Sequence, residues 1–397
     1  MRCSPVSDHA PLLPPSGAPQ WGNCSGSAIA QASVPDVETE ANRIGTATHW
    51  AAAVALEAWK HPVTDGSLAW TDCVGKAAPN GVVIDRDMAD GAQVYVDDVL
   101  AVAQKHGGLR ALMIEHKVHA PQIHAENWGT LDCAMWLPDD GLLYIWDAKF
   151  GHRNNRAREN LQLINYAAGL VNELQIDGHA EQHITVVFRI VQPFSYHGDG
   201  PVNEWRCLLS DLRPYWNQLH AAATEVYANP TMSSGVWCRD CPAVGRCATA
   251  RAAGYNLIDY TSQPYAIDTM TGADLATERA ILTTGLAAVR ARLDAIEADL
   301  HHRIAGGAAD TGLVIQSTRG RVKWSIPTAQ AVAFGVAFGV DISKPGAMTP
   351  TQAEKAAPTE LRPAFKEALA AVTERPAGGT KLVDASESSV GAAFKQE

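Results

Sequence analysis

An α/β (α+β) fold class is expected from the order of segments in this 397-residue chain. Apolar runs of strand character crowd between residues 111 and 191, with helix-spaced stretches before, among and after them. Apolar residues make up 46% of the chain, enough to build a substantial core.

Residues 1–20 are rich in Pro and Ser and read as a flexible lead-in. Residues 38–60 predict a helix, with Glu38, Thr39 and Glu40 suited to its start and an Ala-rich run through Trp59. Turn residues break up 61–90, and 91–106 predicts a second helix. Strands are expected at 111–120, 129–137 and 142–150, the last two joined by the turn Pro138-Asp139-Asp140-Gly141. A helix over 158–175, a Val-rich strand over 184–191 and a helix over 209–228 follow. Beyond residue 250 lies a mostly helical C-terminal module, 251–375, with a long amphipathic helix at 272–304. Its strands 313–317 and 321–326 read as a hairpin about Arg319-Gly320, and Arg319, Arg321 and Lys323 as its exposed charges. Helices at 328–339 and 350–372 precede a flexible tail, 376–397.

The formal charge of −11 argues against a coat of non-specific nucleic-acid-binding charge, though not against a site that holds metal ions with carboxylates. A local basic strip, Lys149, His152, Arg153, Arg156 and Arg158, reads either as phosphate contacts or as a solvated loop. No basic segment followed by an apolar run opens the chain, and the apolar stretch 329–340 is too short to cross a bilayer. A cytoplasmic protein without a membrane partner is expected.

The densest chemistry surrounds Asp147-Ala148-Lys149. It closes the apolar run Leu142-Leu143-Tyr144-Ile145-Trp146, one turn after Gly129-Thr130-Leu131-Asp132. Phosphodiester hydrolysis calls for a divalent ion that neutralises developing charge and acidifies a water. Mg²⁺ keeps several waters, so the carboxylates of Asp132 and Asp147 with the Ala148 carbonyl could hold it. Period-two alternation places Asp147 and Lys149 on one strand face, where Lys149 could serve the attacking water. Gln162 and Tyr166 share a face of the next helix, and His49 sits in the first.

The ordered set Gly45-Thr46-x-x-His49, Gly129-Thr130-x-Asp132, Asp147-x-Lys149 and Gln162-x-x-x-Tyr166 resembles the RecB-like nucleases of the PD-(D/E)XK superfamily, over roughly residues 20–250. The resemblance implies a mixed central sheet flanked by helices. It implies Mg²⁺ or Mn²⁺ bound by His49, Asp132 and Asp147, with Lys149 as the catalytic lysine. It also implies that Gln162 and Tyr166 position the DNA backbone and that Glu115 fills a frequently acidic position. Asp147 stands where many relatives have Glu, and Ile44 where many have Glu before the Gly-Thr. The activity implied is that of a DNA exonuclease in phage recombination or DNA processing. Its partners would be single strands or duplex ends and phage recombination proteins, in the cytoplasm of a bacterial host. The rival reading is a DNA-binding or adaptor protein that keeps the fold without turnover.

Of the eight cysteines, Cys238, Cys241 and Cys247 crowd together, and Cys24 lies far upstream. Four thiolates could hold a structural Zn²⁺ or an iron–sulfur cluster; the alternative is that Cys24 is an unrelated buried thiol and the other three bind zinc with a His or bind no metal. The spacing resembles the [4Fe–4S] staple of AddB-type and CRISPR-associated RecB-like nucleases, which ties the segments flanking the nuclease core. On that resemblance the cluster is remote from the active site, and its loss is expected to harm the fold more than the chemistry. Cys3, Cys73, Cys133 and Cys207 read as ordinary residues, Cys133 facing away from Asp132. Trp128, Trp136 and Trp146 read as core, and His116, His119 and His124 lack partners at useful spacing.

Overall fold

The computed structural model describes residues 11–35, 38–61, 73–195, 200–261, 270–319, 322–326, 328–342, 349–374 and 377–384. Cys3, Gly320 and Arg321 of the expected hairpin, and the last residues of the tail lie outside them.

The chain divides into two compact units at Arg292/Leu293. The first opens with two short helices, α1 (Ala18–Trp21) and α2 (Gly26–Ala32), then α3 (Glu40–Lys60) and α4 (Arg86–Lys105). Thr39 caps α3 by accepting from the Asn42 N–H, and Asp85 caps α4 by accepting from that of Met88. That second cap starts the helix five residues before the apolar spacing predicts.

A five-stranded mixed sheet follows in the order β1 (Leu112–His119), β2 (Trp128–Leu137), β3 (Leu142–Ala148), β4 (Thr185–Val191), β5 (Val202–Leu208). β3 and β4 run parallel and the other pairs antiparallel. Parallel strands need a long crossover, supplied here by α5 (Leu161–Glu173). Along β3, Leu143 and Ile145 join the core under α5 and α6 (Arg213–Ala228), whereas Tyr144, Trp146 and Ala148 join that under α3 and α4. Cover on both faces is why β3 reads as an unbroken apolar run. Cys133 lies in the α3/α4 core with Trp146.

The structure departs from the sequence reading in several places. The lead-in is docked from residue 11 on: Leu13, Pro15 and Ala18 are buried, and the Asn127 side chain donates to the Leu13 carbonyl at 2.9 Å. Pro15 presses so closely on Gly129 that a Cβ there would meet its ring at 2.7 Å, which accounts for the glycine in Gly-Thr-x-Asp. β5 was not expected, because its outward Glu204 and Arg206 hide a half-buried alternate face on which Trp205 stacks over Phe188. α7 (Ala248–Thr261) and α8 (Gly272–Ala305) as far as Arg292 belong to the first unit.

In the second unit β6 (Leu313–Arg319) does not turn back on β7 (Lys323–Trp324) as a hairpin. β6 pairs with β9 (Ala377–Asp384), and β7 with β8 (Thr373–Glu374). Part of the expected flexible tail is therefore a strand. Besides α9 (Thr328–Ala337), the helix expected over 350–372 is two, α10 (Pro350–Ala356) and α11 (Arg362–Leu369). Pro358 lacks the N–H that would continue the first, and Pro363 starts the second. Phe365, Leu369, Ile342 and Ala331 centre its core.

Candidate active site

Strand register assembles the carboxylates. The pairs Ile114–Cys133 and His116–Leu131 bracket Glu115 and Asp132, and Cys133–Trp146 makes Asp132 and Asp147 the next pair outward. Cross-strand neighbours share a face, so Glu115, Asp132 and Asp147 form one row at the sheet end. Glu115 itself leaves the ladder, with φ +44° in the left-handed region. Such a backbone costs about 1–3 kcal/mol and persists where its surroundings impose it, commonly at functional sites.

α3 brings His49 to this row, its Nδ1 lying 3.6 Å from Asp132 Oδ2. Phe150 meets the imidazole edge-on, with ring centroids 4.9 Å apart. Single ligand atoms of His49, Glu115 and Asp132 all lie within 4.8 Å of one another, a set able to hold a metal ion. Gly45 precedes His49 by one helical turn, and a Cβ added to it meets nothing within 4 Å.

Asp147 is 2% exposed. Lys149 Nζ lies 2.8 Å from its Oδ2 and 3.0 Å from its Oδ1, and Gln162 Nε2 donates to Oδ1 at 2.8 Å. Lys149 also donates to Gln162 Oε1 at 3.2 Å, closing a triangle. Burial raises the Asp147 carboxyl above its ordinary value and Asp132 adds to this, against the opposing Lys149 charge. Burial acts to lower Lys149, but Asp147 and Asp132 outweigh it and hold the ammonium form. Glu115 is pushed up to about 7, first by burial of its carboxyl among neighbouring groups and then by Asp132, with His49 opposing. The residue as a whole is nonetheless exposed to solvent.

The Ala148 N–H donates to Asp132 Oδ2 at 2.7 Å, so it is the amide of Ala148 that engages the row. Tyr166 is buried and donates to the Thr130 carbonyl at 2.7 Å, which ties α5 to β2 rather than presenting the phenol outward. Burial, then Asp132 and Asp147, raise its pKa and keep it neutral. Sequence reasoning missed Tyr95 of α4, whose buried hydroxyl has no hydrogen-bond partner among the described residues and whose pKa is raised by burial, then by Cys133, Asp132 and Glu115. Trp146 is held in the core by donation to Asp98 at 3.0 Å, and Arg189 pairs with the same carboxylate at 2.7 Å. His116 finds a carboxylate that spacing hid, Glu173 of α5, at 2.6 Å.

The basic strip divides. Arg156 and Arg158 line an open groove of about 1930 Å³ of atom-free space that reaches Lys149 and Gln162. Arg153 is paired with Asp240 instead.

Cys24, Cys238, Cys241 and Cys247 line one cavity of about 340 Å³ of atom-free space. Backbone N–H groups of Ser233, Gly235 and Ala250 each donate at 3.4 Å to the sulfurs of Cys24, Cys238 and Cys247. Burial raises the Cys238 and Cys241 thiols; backbone hydrogen bonds lower them, and the neighbouring cysteines raise them further. The cysteine segment is not remote from the carboxylate end, because Val236, Trp237, Arg239 and Asp240 line the groove that reaches Lys149. Among the described residues no helix is long and apolar enough to cross a membrane.

The profile of a family described as a protein of unknown function, DUF2800, matches residues 9–389, nearly the whole chain. This chain therefore belongs to the DUF2800 family.

Proposed function

We propose that this protein is a metal-dependent DNA nuclease of the RecB-like PD-(D/E)XK type, an exonuclease of phage recombination or DNA processing. The observation that carries the reading is the row Glu115–Asp132–Asp147 across three strands, with His49 on one side and Lys149 and Gln162 on the other. The donor set of one imidazole and two carboxylates, His49, Glu115 and Asp132, fits Mg²⁺ or Mn²⁺. When bound, such an ion supplies charge neutralisation and a more acidic water.

The chain's own groups divide the remaining work. The Ala148 N–H fixes the orientation of the Asp132 carboxylate. Asp147 and Gln162 hold the Lys149 ammonium at the mouth of the groove, where its charge opposes that building on a scissile phosphate. Gln162 also keeps Asp147 from rotating away. Tyr166 fixes the strand that carries Asp132.

The four thiols fit a metal group as well, since backbone N–H groups aimed at sulfur stabilise thiolates and tune bound clusters. We take that group to be a [4Fe–4S] cluster, with structural Zn²⁺ as the alternative.

The test is cleavage of labelled single- and double-stranded DNA by the full chain in Mg²⁺ or Mn²⁺. Asp132→Ala should lower the rate at least about a hundredfold. Wild type that cuts nothing, or a variant that cuts equally well, overturns the reading. Salt-dependent binding without cleavage would instead assign the chain to the non-catalytic DNA-binding class.

A further inference from the structure

The nuclease reading leaves one wall of the groove without a role. Residues Val236–Asp240 form a 3₁₀ turn whose Cys238 faces the cysteine cavity, whose Arg239 lines the groove, and whose Trp237 stands between the two and lines both. The Trp237 ring lies over Gly235, so close that a Cβ there would come within 2.5 Å of it. Its Nε1 donates to the Ser233 carbonyl at 3.3 Å. An aromatic ring is thus held rigidly yet left half-buried.

The charge of this groove runs against that of the chain. Lys149, Arg156, Arg158 and Arg239 line it with two carboxylates, Glu159 and Asp240, which lie 3.5 Å from Arg158 and 3.3 Å from Arg239, in a protein of net charge −11. Arg156 is exposed and has no carboxylate partner among the described residues. A fixed ring beside scattered cations suits a strand whose bases are free to stack and whose phosphates track the groove. A duplex keeps its bases stacked on each other and has no use for an isolated ring on the wall.

We infer that this groove binds a single, unpaired nucleic-acid strand, with Trp237 as stacking platform and Arg156, Arg158 and Arg239 as phosphate contacts. The inference rests on the nuclease reading for what happens at Lys149; binding itself requires no cleavage. The cysteine segment then contributes directly to the substrate surface.

Fluorescence anisotropy of the full chain tests it, without added divalent ions, using a labelled single-stranded oligodeoxynucleotide and the blunt duplex of the same sequence. The single strand should bind about tenfold tighter than the duplex. Trp237→Ala should weaken single-strand binding about tenfold, and Trp237→Phe should restore most of it. Arg156→Ala, remote from the cysteine turn in sequence and exposed, should weaken binding and shrink the salt slope by about 0.7. Duplex binding as tight as single-strand binding, no single-strand binding, or wild-type affinity in both Trp237→Ala and Arg156→Ala overturns the inference. Cleavage separates the two proposals. Tight single-strand binding with no cleavage in Mg²⁺ or Mn²⁺ sinks the nuclease reading alone. Asp132-dependent cleavage with unaltered binding in both groove variants sinks the groove alone.

Discussion

The carboxylate row and the cysteine cavity both gather side chains of the types that ligate metals, and they are built in opposite ways. The row is made by strand register: Glu115, Asp132 and Asp147 stand at neighbouring positions of three paired strands, with Glu115 stepping out of the ladder there. The cavity is made by short turns and by contacts across great sequence distance, such as Ser233 N–H to Cys24 Sγ, 209 residues apart. The row is electrostatically costly, since Glu115 and Asp147 are both shifted toward their protonated forms by burial and by Asp132. In the cavity the backbone donates to sulfur instead, so closing it favours the fold. Activity is therefore expected to be limited by the first region and stability by the second.

The largest expected effect breaks the cavity. If the four thiols hold the proposed metal group, Cys24→Ser should remove it and cost several kcal/mol, read as loss of iron or zinc by elemental analysis and a lower unfolding midpoint. An unchanged midpoint with full metal content would erase the distinction between the regions.

Next comes the buried pair. Lys149→Ala leaves Asp147 without its counter-charge and should cost about 3 kcal/mol in denaturant unfolding. Adding Asp147→Asn to it should recover most of that stability but no cleavage. If the double variant stays as unstable as the single one, electrostatic strain is not what this region carries.

A smaller effect follows pH. The Glu115 value rises from 4.5 to about 7 in the folded chain, so between those values the folded state binds the extra proton. Stability of the metal-free protein should fall as pH rises through that window. Glu115→Gln should remove this fall in thermal melts at pH 5 and pH 8. Mn²⁺ affinity of the wild type should tighten over the same rise, because the ion needs the ionised carboxylate. A pH-independent affinity would remove Glu115 from the ligand set.

The smallest effect separates stability from activity at one residue. Gly45→Ala should stabilise α3 by up to about 1 kcal/mol, since a Cβ there meets nothing within 4 Å. If the space over His49 serves substrate, the same change should slow cleavage. Faster or equal cleavage would assign that space no role.

Much of this architecture was legible in the chain. The first three strands and the helices bearing His49 and Gln162 follow from periodicity, capping and turn chemistry, and the Asp147–Lys149 alternation follows from strand geometry. β5 escaped because a polar outer face hid its pattern, and the split between α10 and α11 because Pro358 and Pro363 were passed over. Trp237 escaped because nothing local marks a ring as a groove wall; its place depends on a turn folding beside Lys149.

By itself the sequence determined which residue types stand at the strand ends and on which face each falls, because those depend on alternation over a few residues. Only the tertiary structure decided that Glu115 joins His49 and Asp132 while Asp147 is taken up by Lys149 and Gln162, and that Cys24 reaches the other three cysteines. The reason is physical: local periodicity sets a direction, whereas a distance between segments far apart in the chain is set by packing the cores that lie between them.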